Sequence, residues 1–463
     1  MKMKFTFFSI VLIAFAFGSC KTKFDDRMQT AGDADFTSYV AIGASYSAGF
    51  ADGALSKEGQ AASFPVLLAN KFQELGGGVF HVPYLTGNKG VYPDPLASNV
   101  HNTLSRLALK TIMNCKGEQM LLPQRIAETG DNDEIDFSDI TNRIYTPGAI
   151  YHHHGIPAMK SFHAAQSFYA YDAFFENDQF NPFFWRYASN TFGSLMFDVI
   201  AAKPTFFTLE LGMSDVLNYA IDGGIGKEKG YYEVLLKEDL TGKQKFTEGI
   251  TKVLDSLTKV GAKGVITNIP DVLTFPYFRK IEYNALDIDA SKAQALTTQY
   301  AGLGLTFTAG KNAFVIKDKG VIRQLKPTEF ITLKTPVDSL KCADWGASKP
   351  IEDIYILTEE EIALVNSHTD LYNTILNDAA STRGIPMMDL KSFFIKLNAG
   401  ITQSGIDLSS EFVSGGFFSL DGLHPNPRGQ AMLANEYISV INENFKASIA
   451  PYNIGMFQGA IFP

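Results

Sequence analysis

The sequence predicts an α/β fold: a three-layer α/β/α sandwich around a central parallel sheet, interrupted by two inserted segments. Three observations lead there. Short apolar runs recur along the chain, several of them stopped at glycine. Stretches with helical apolar spacing alternate with those runs, which implies parallel βαβ units. The 463 residues are 46% apolar, enough to cover both faces of such a sheet with a large core.

Taken in order, the N-terminus stands outside this pattern. Lys2 and Lys4 precede an apolar run from Phe5 to Phe17. That run is too short for a permanent bilayer helix but suits the core of a signal peptide. It ends Phe17-Gly18-Ser19-Cys20, which resembles the lipobox of bacterial lipoproteins. The expectation is a signal peptide over residues 1–19, a lipidated Cys20 and a tether over 20–36. The implied location is the cell envelope, lipid-anchored at the outer membrane, on its periplasmic or surface face. The folded domain then covers 37–450, with a tail over 451–463.

Residues 38–44 read as a buried strand. Ala61 to Leu75 reads as a helix, with Phe64, Leu67, Leu68 and Phe72 at helical spacing, ended by Gly76 to Gly78. Residues 204–211 form a second strand, stopped at Gly212. Thr247 to Val260 follows helical period, and residues 264–269 form a third strand. Thr358 to Ala380 is helical, Ile385 to Leu390 is a fourth strand, and Arg428 to Phe445 is the closing helix. Two stretches break the rhythm. Residues 91–150 are turn-rich and contain Asp131-Asn-Asp-Glu134; residues 281–357 hold short β-like runs at Phe314 and Phe330. Both read as insertions that shape a pocket at the strand ends.

Composition excludes some functions. A net charge of -9 argues against nucleic-acid binding, which needs a basic footprint. Cys115 and Cys342 are too far apart for a zinc signature, and whether they pair stays open. His152, His153 and His154 are adjacent, so on an extended chain at most two could share an ion. No metal and no cofactor is expected. The aromatics from Phe162 to Tyr187, among them Phe168, Phe174, Phe175, Phe183, Phe184 and Trp185, read as packing, with an acyl-chain groove as the alternative.

The chemistry lies at the two ends of the domain. Gly43-Ala44-Ser45-Tyr46-Ser47 follows the first strand. Near the C-terminus, Phe-Ser-Leu-Asp421-Gly-Leu-His424-Pro-Asn-Pro-Arg-Gly puts a carboxylate and an imidazole three residues apart, before a helix. A serine, a histidine to take its proton and a carboxylate to orient the histidine are the parts of a nucleophilic hydrolase. Ser47 stands where the nucleophile elbow of α/β-hydrolases needs glycine, which excludes that turn.

The pattern resembles the GDSL, or SGNH, hydrolases, and especially their lipoprotein members in Bacteroidetes. In that family a serine ends the first strand and Asp-x-x-His closes the chain before the last helix. The resemblance implies the flavodoxin-like three-layer sandwich, a Ser45–His424–Asp421 triad, and an ester substrate: a lipid, an acylated glycan or a small acyl ester. It further implies an oxyanion site made by the amides of Ser45 and Gly155 with Ser214. Gly155 is taken from His153-His154-Gly155-Ile156-Pro157 in preference to Asn88-Lys89-Gly90. Ser214, in Gly212-Met213-Ser214-Asp215, stands where the family carries asparagine. Asp215 is expected to brace the loop. Ala44 and His153 depart from the family pattern too. The alternative is therefore a degenerate hydrolase that binds a glycan or lipid for an outer-membrane partner.

Overall fold

The computed structural model describes residues 29–93, 103–126, 140, 142–171 and 180–463. Cys20, Asp131–Glu134, Phe174 and Phe175 lie outside the described residues. The strands that position the site are β1 (Tyr39–Gly43), β2 (Leu107–Met113), β3 (Gln119–Arg125), β4 (His153–Gly155), β5 (Phe206–Glu210), β6 (Lys263–Thr267) and β7 (Met387–Met388). Five of them form a parallel sheet in the order β7-β6-β5-β1-β4. Every residue of β1 and β5 is buried. That is why both read as continuous apolar runs and not as alternating strands.

Register fixes what meets at the strand ends. Gly43 pairs with Glu210 on one side and with Gly155 on the other. The segments that follow these three residues therefore leave the sheet at one level, where ligands of open parallel sheets bind.

The helices used below are α1 (Ser45–Ala48), α2 (Phe64–Glu74), α3 (Met213–Ile221), α4 (Lys243–Lys259), α5 (Val337–Cys342), α6 (Glu359–Ser381) and α7 (Pro427–Phe445). Helix α7 packs on α2, with Phe64 and Tyr437 stacked at 4.8 Å. Helix α4 packs on α6 through Phe246 and Tyr372, stacked at 4.0 Å. The abundant rings are thus largely core: Phe36, Phe72, Phe206, Phe183, Phe184 and Tyr187 are all buried.

Three elements differ from expectation. The helix expected over Ala61 to Leu75 is split at Ser63, which is extended at φ -62° and ψ 146°. Pro65 has no N–H to give to Ala61, so the two turns cannot merge. The strand expected over 385–390 pairs only at Met387–Met388. Strand β4 is not among the four expected strands, yet it forms the fifth strand of the sheet.

Both insertions have structure of their own. In the first, β2 and β3 form an antiparallel hairpin from Leu107↔Arg125 to Met113↔Gln119. In the second, Leu296, Val315, Ile316 and Ile351 belong to an apolar cluster separate from the main core. The cysteines answer the question that sequence left open. Cys115, in the hairpin turn, is bonded to Cys342 at the end of α5, with S–S 1.97 Å and Cα–Cα 5.9 Å. The two insertions are therefore joined covalently. Among the described residues no helix is long and apolar enough to cross a membrane.

Candidate active site

Ser45 opens α1 two residues beyond the end of β1. Its Oγ accepts a hydrogen bond from the Ala158 N–H at 3.0 Å. The N–H of Ser45 itself has no partner among the described residues. Ala158 sits at φ +61°, in the left-handed region where a non-glycine residue is uncommon and often marks a functional site.

Asp421 and His424 lie on the loop before α7. Asn426 caps that helix by accepting from the Gly429 N–H at 2.9 Å, and Pro427 fills its first position. The helix start therefore fixes the loop. Asp421 Oδ2 accepts from His424 Nδ1 at 2.8 Å and from the Gly53 N–H at 2.9 Å. Its Oδ1 accepts from the amides of Leu423 and His424 at 2.8 and 2.9 Å, and from Ser419 Oγ at 3.0 Å. Burial pushes this carboxyl up, but the charge of His424 and the hydrogen bonds outweigh it and hold Asp421 at about 2. The aspartate is ionised at neutral pH and oriented to hold one imidazole tautomer, with Nε2 free to accept. No other hydrogen bond engages that Nε2 among the described residues.

Specific bonds bring the distant chain ends together. Tyr46 Oη donates to the Leu423 carbonyl at 2.8 Å, and Gln430 Nε2 donates to the Tyr46 carbonyl at 3.1 Å. The Asp52 N–H donates to Ser419 Oγ at 2.9 Å. The Phe50 ring packs against the His424 ring, with centroids 4.7 Å apart. Ser45, Ser214, Asp421 and His424 all line one cavity of about 1360 Å³. No hydrogen bond joins Ser45 Oγ to His424 within the described residues.

The oxyanion candidates separate. Gly155 is turned away: its N–H faces His153 Nδ1 at 3.4 Å, and it does not line the cavity. Its small size serves packing, since a Cβ there would lie 2.4 Å from the Ala48 nitrogen. The amide that reaches Ser45 Oγ comes from Ala158, three residues on. Ser214 is in the first turn of α3, lines the cavity and makes no side-chain hydrogen bond among the described residues. One turn later, Asn218 lines the same cavity, and its Nδ2 donates to the Ala158 carbonyl at 3.4 Å. Sequence reasoning missed Ala158 and Asn218. Ala158 acts through its main chain, which no residue type advertises. Asn218 could have been found from its i+4 spacing to Ser214.

The remaining expectations resolve as structure. Asp215 accepts from the Ser161 N–H and Oγ at 2.8 and 2.9 Å, so it braces the loop that carries Ala158. His153 meets Ser63 Oγ at 3.3 Å, and His154 meets Tyr187 Oη at 3.3 Å and the Tyr151 carbonyl at 3.1 Å. Burial lowers these two imidazoles to about 4 and about 3, leaving them neutral core groups. Among the described residues no three His, Cys, Asp or Glu side chains gather as a metal site. None of the described aromatics between Phe162 and Tyr187 lines the cavity. Its apolar walls come from Leu107, Leu122 and Pro123 of the hairpin, and from Leu333, Val337 and Leu340 of the second insertion.

A serine beside a main-chain N–H, facing an ionised Asp–His pair across one apolar-walled cavity, has the parts for acyl transfer. A family model described as GDSL-like Lipase/Acylhydrolase matches residues 164–437, more than half of the chain. The matched span contains Ser214, Asp421 and His424; Ser45 and Ala158 precede it. No curated protein matches the chain.

Proposed function

We propose, from the premise that the chain belongs to the GDSL-like lipase/acylhydrolase family, that it hydrolyses carboxylic esters with Ser45 as nucleophile. Ser45 Oγ attacks the acyl carbonyl carbon while His424 Nε2 takes its proton. Asp421 stabilises the imidazolium. The tetrahedral oxyanion accepts from the Ser45 N–H, the Ala158 N–H and the Ser214 hydroxyl. Collapse expels the alkoxide, which takes the proton from His424. Water then repeats the sequence on the acyl-enzyme and releases the acid. Gly155, expected as a donor, is replaced in this role by Ala158. The apolar walls suit the acyl part of a lipid, an acylated glycan or a small ester.

The observation that carries this reading is the bonding of the 45–53 and 419–430 segments, which puts Ser45 and the Asp421–His424 pair on one cavity. A fluorophosphonate probe tests it. The wild type should label covalently and cleave short acyl esters, and Ser45→Ala should do neither.

One observation favours a second reading, a binding protein without turnover. Ser45 Oγ is bonded to Ala158 and not to His424, and serine stands in place of the asparagine donor. Well-folded wild type that neither labels nor cleaves would favour that reading. We further place the protein at the outer membrane through a lipid on Cys20. Cys20→Ala should then move it out of the membrane fraction.

A further inference from the structure

One buried acid has no part in the reaction as written. Glu210 ends β5 and is 3% exposed, yet it reaches the floor of the cavity. Its Oε2 accepts from the Ala44 N–H at 3.0 Å, the Ser47 N–H at 3.2 Å and Ser47 Oγ at 3.1 Å. Its main-chain carbonyl also accepts from the Ala44 N–H, at 3.1 Å. All these donors flank Ser45.

The local chemistry explains why such a brace is needed. Helix α1 has only four residues, too few to hold itself together. Its N-cap is Ala44, whose methyl group cannot accept the free amides of the first turn. No side-chain hydrogen bond caps α1 from within. Glu210 supplies the acceptor from the neighbouring strand, and the Gly43↔Glu210 register places it there. The ionisable groups facing it, Tyr46 and Tyr437, are phenols that bring no positive charge. A buried carboxyl without a cation is costly to keep.

We infer that Glu210 is a positioning residue: its carboxyl stands in for the missing cap at Ala44 and fixes the turn that aims Ser45 Oγ at the Ala158 amide. This rests on Ser45 being the nucleophile. Loosening such a turn by about 1 Å is enough to cost roughly 10²-fold in rate.

The test uses the full chain as wild type, Glu210→Ala, Glu210→Gln and Ser47→Ala. It reads kcat, KM and the rate of fluorophosphonate labelling, each per titrated active site. Glu210→Ala should lower kcat and the labelling rate about 10²-fold with KM within about twofold, because positioning acts on the reacting atom. Glu210→Gln retains an amide oxygen for the Ala44 and Ser47 amides and should stay within about tenfold of wild type. Ser47→Ala removes one of the three bonds to Oε2 and should lower kcat a few-fold. It carries the test if Glu210→Ala does not fold. Wild-type rates per titrated site in Glu210→Ala or Ser47→Ala would overturn the inference, since a brace of stability alone changes only the number of folded molecules. An active wild type with such variants sinks this inference and spares the hydrolase reading. A wild type inert to probe and ester sinks both.

Discussion

The two halves of the cavity are held by different means. The chemical half is a frame of hydrogen bonds where β1 and β5 end and α7 begins, with Asp421 and Glu210 together accepting from Ser47, Gly53, Leu423 and His424. The wall half comes from the hairpin and from residues 281–357, which have an apolar cluster of their own and are tied to each other by Cys115–Cys342. Sheet register, the start of α7 and local hydrogen bonds fix the first half; a covalent bond between two excursions fixes the second. In the proposed reaction the contrast separates proton transfer from the shaping of the acyl site. They touch at residues 52 and 53: Arg125 of the hairpin donates to the Gly53 carbonyl at 3.0 Å, while the Gly53 N–H donates to Asp421, and the Leu107 N–H of the hairpin donates to the Asp52 carbonyl at 2.7 Å.

The sharpest way to break this separation is Asp421→Asn. The amide cannot stabilise the imidazolium and favours the wrong tautomer, so kcat should fall about 10⁴-fold. The walls are untouched, so KM for a short ester should stay within about twofold. Steady-state kinetics checks both values. A KM that rises with the fall in kcat would show that the halves are not independent.

Ser214 comes next in size. Ser214→Ala should lower kcat about 10²-fold if its hydroxyl serves the oxyanion, and Ser214→Asn, with a longer donor, should raise it. Unchanged rates in both would remove Ser214 from the site and leave the two amides.

How much of this was legible in the sequence follows the same division. Ser45, Asp421 and His424 stand out in the sequence because the role proposed for them needs a side-chain type at a strand end or a helix start. The strands β1, β5 and β6 were legible as apolar runs, and α7 as a helical stripe. The site's main-chain parts were not. Ala158 offers an N–H that every residue but proline owns, and Gly155 fits the family's Asn-x-Gly block with its apolar and proline context although its amide faces His153. Glu210 is one polar residue beside Thr205 and Thr208 in the strand read over 204–211, and no local pattern marks it. Strand β4 escaped notice because three residues rich in histidine show no β pattern. The Cys115–Cys342 bond spans 227 residues, a distance at which local pattern carries no information.

That disulfide gives the next prediction. Replacing both cysteines by serine should lower stability by about 2–4 kcal/mol, read as a shifted denaturation midpoint. KM for a long-chain ester should rise several-fold as the walls separate, while a small fluorophosphonate should label Ser45 at the wild-type rate. Slower labelling would show that the walls also hold the chemical frame.

The smallest effect concerns pH, and here the two acids of the chemical half act in opposite directions. Burial raises Glu210 from its ordinary 4.5 to about 7, so the folded state holds its proton over a range in which the unfolded chain has lost it. Its contribution is therefore fully present below about 4.5 and is lost as pH rises through about 7. Asp421 is depressed from 3.8 to about 2, so its contribution is present above about 4 and is lost as pH falls toward 2. Between pH 4.5 and 8, followed by denaturation midpoints, the wild type should lose about 1–3 kcal/mol of stability relative to Glu210→Gln, which cannot titrate; His153 and His154, lowered by burial, gain over this range in both proteins and cancel in the difference. The acid-side loss below pH 4 should stay in place in both. If the two proteins follow one slope, another buried acid is responsible, and Asp52, raised to about 6 chiefly by burial beside the same loop, is the group to replace next.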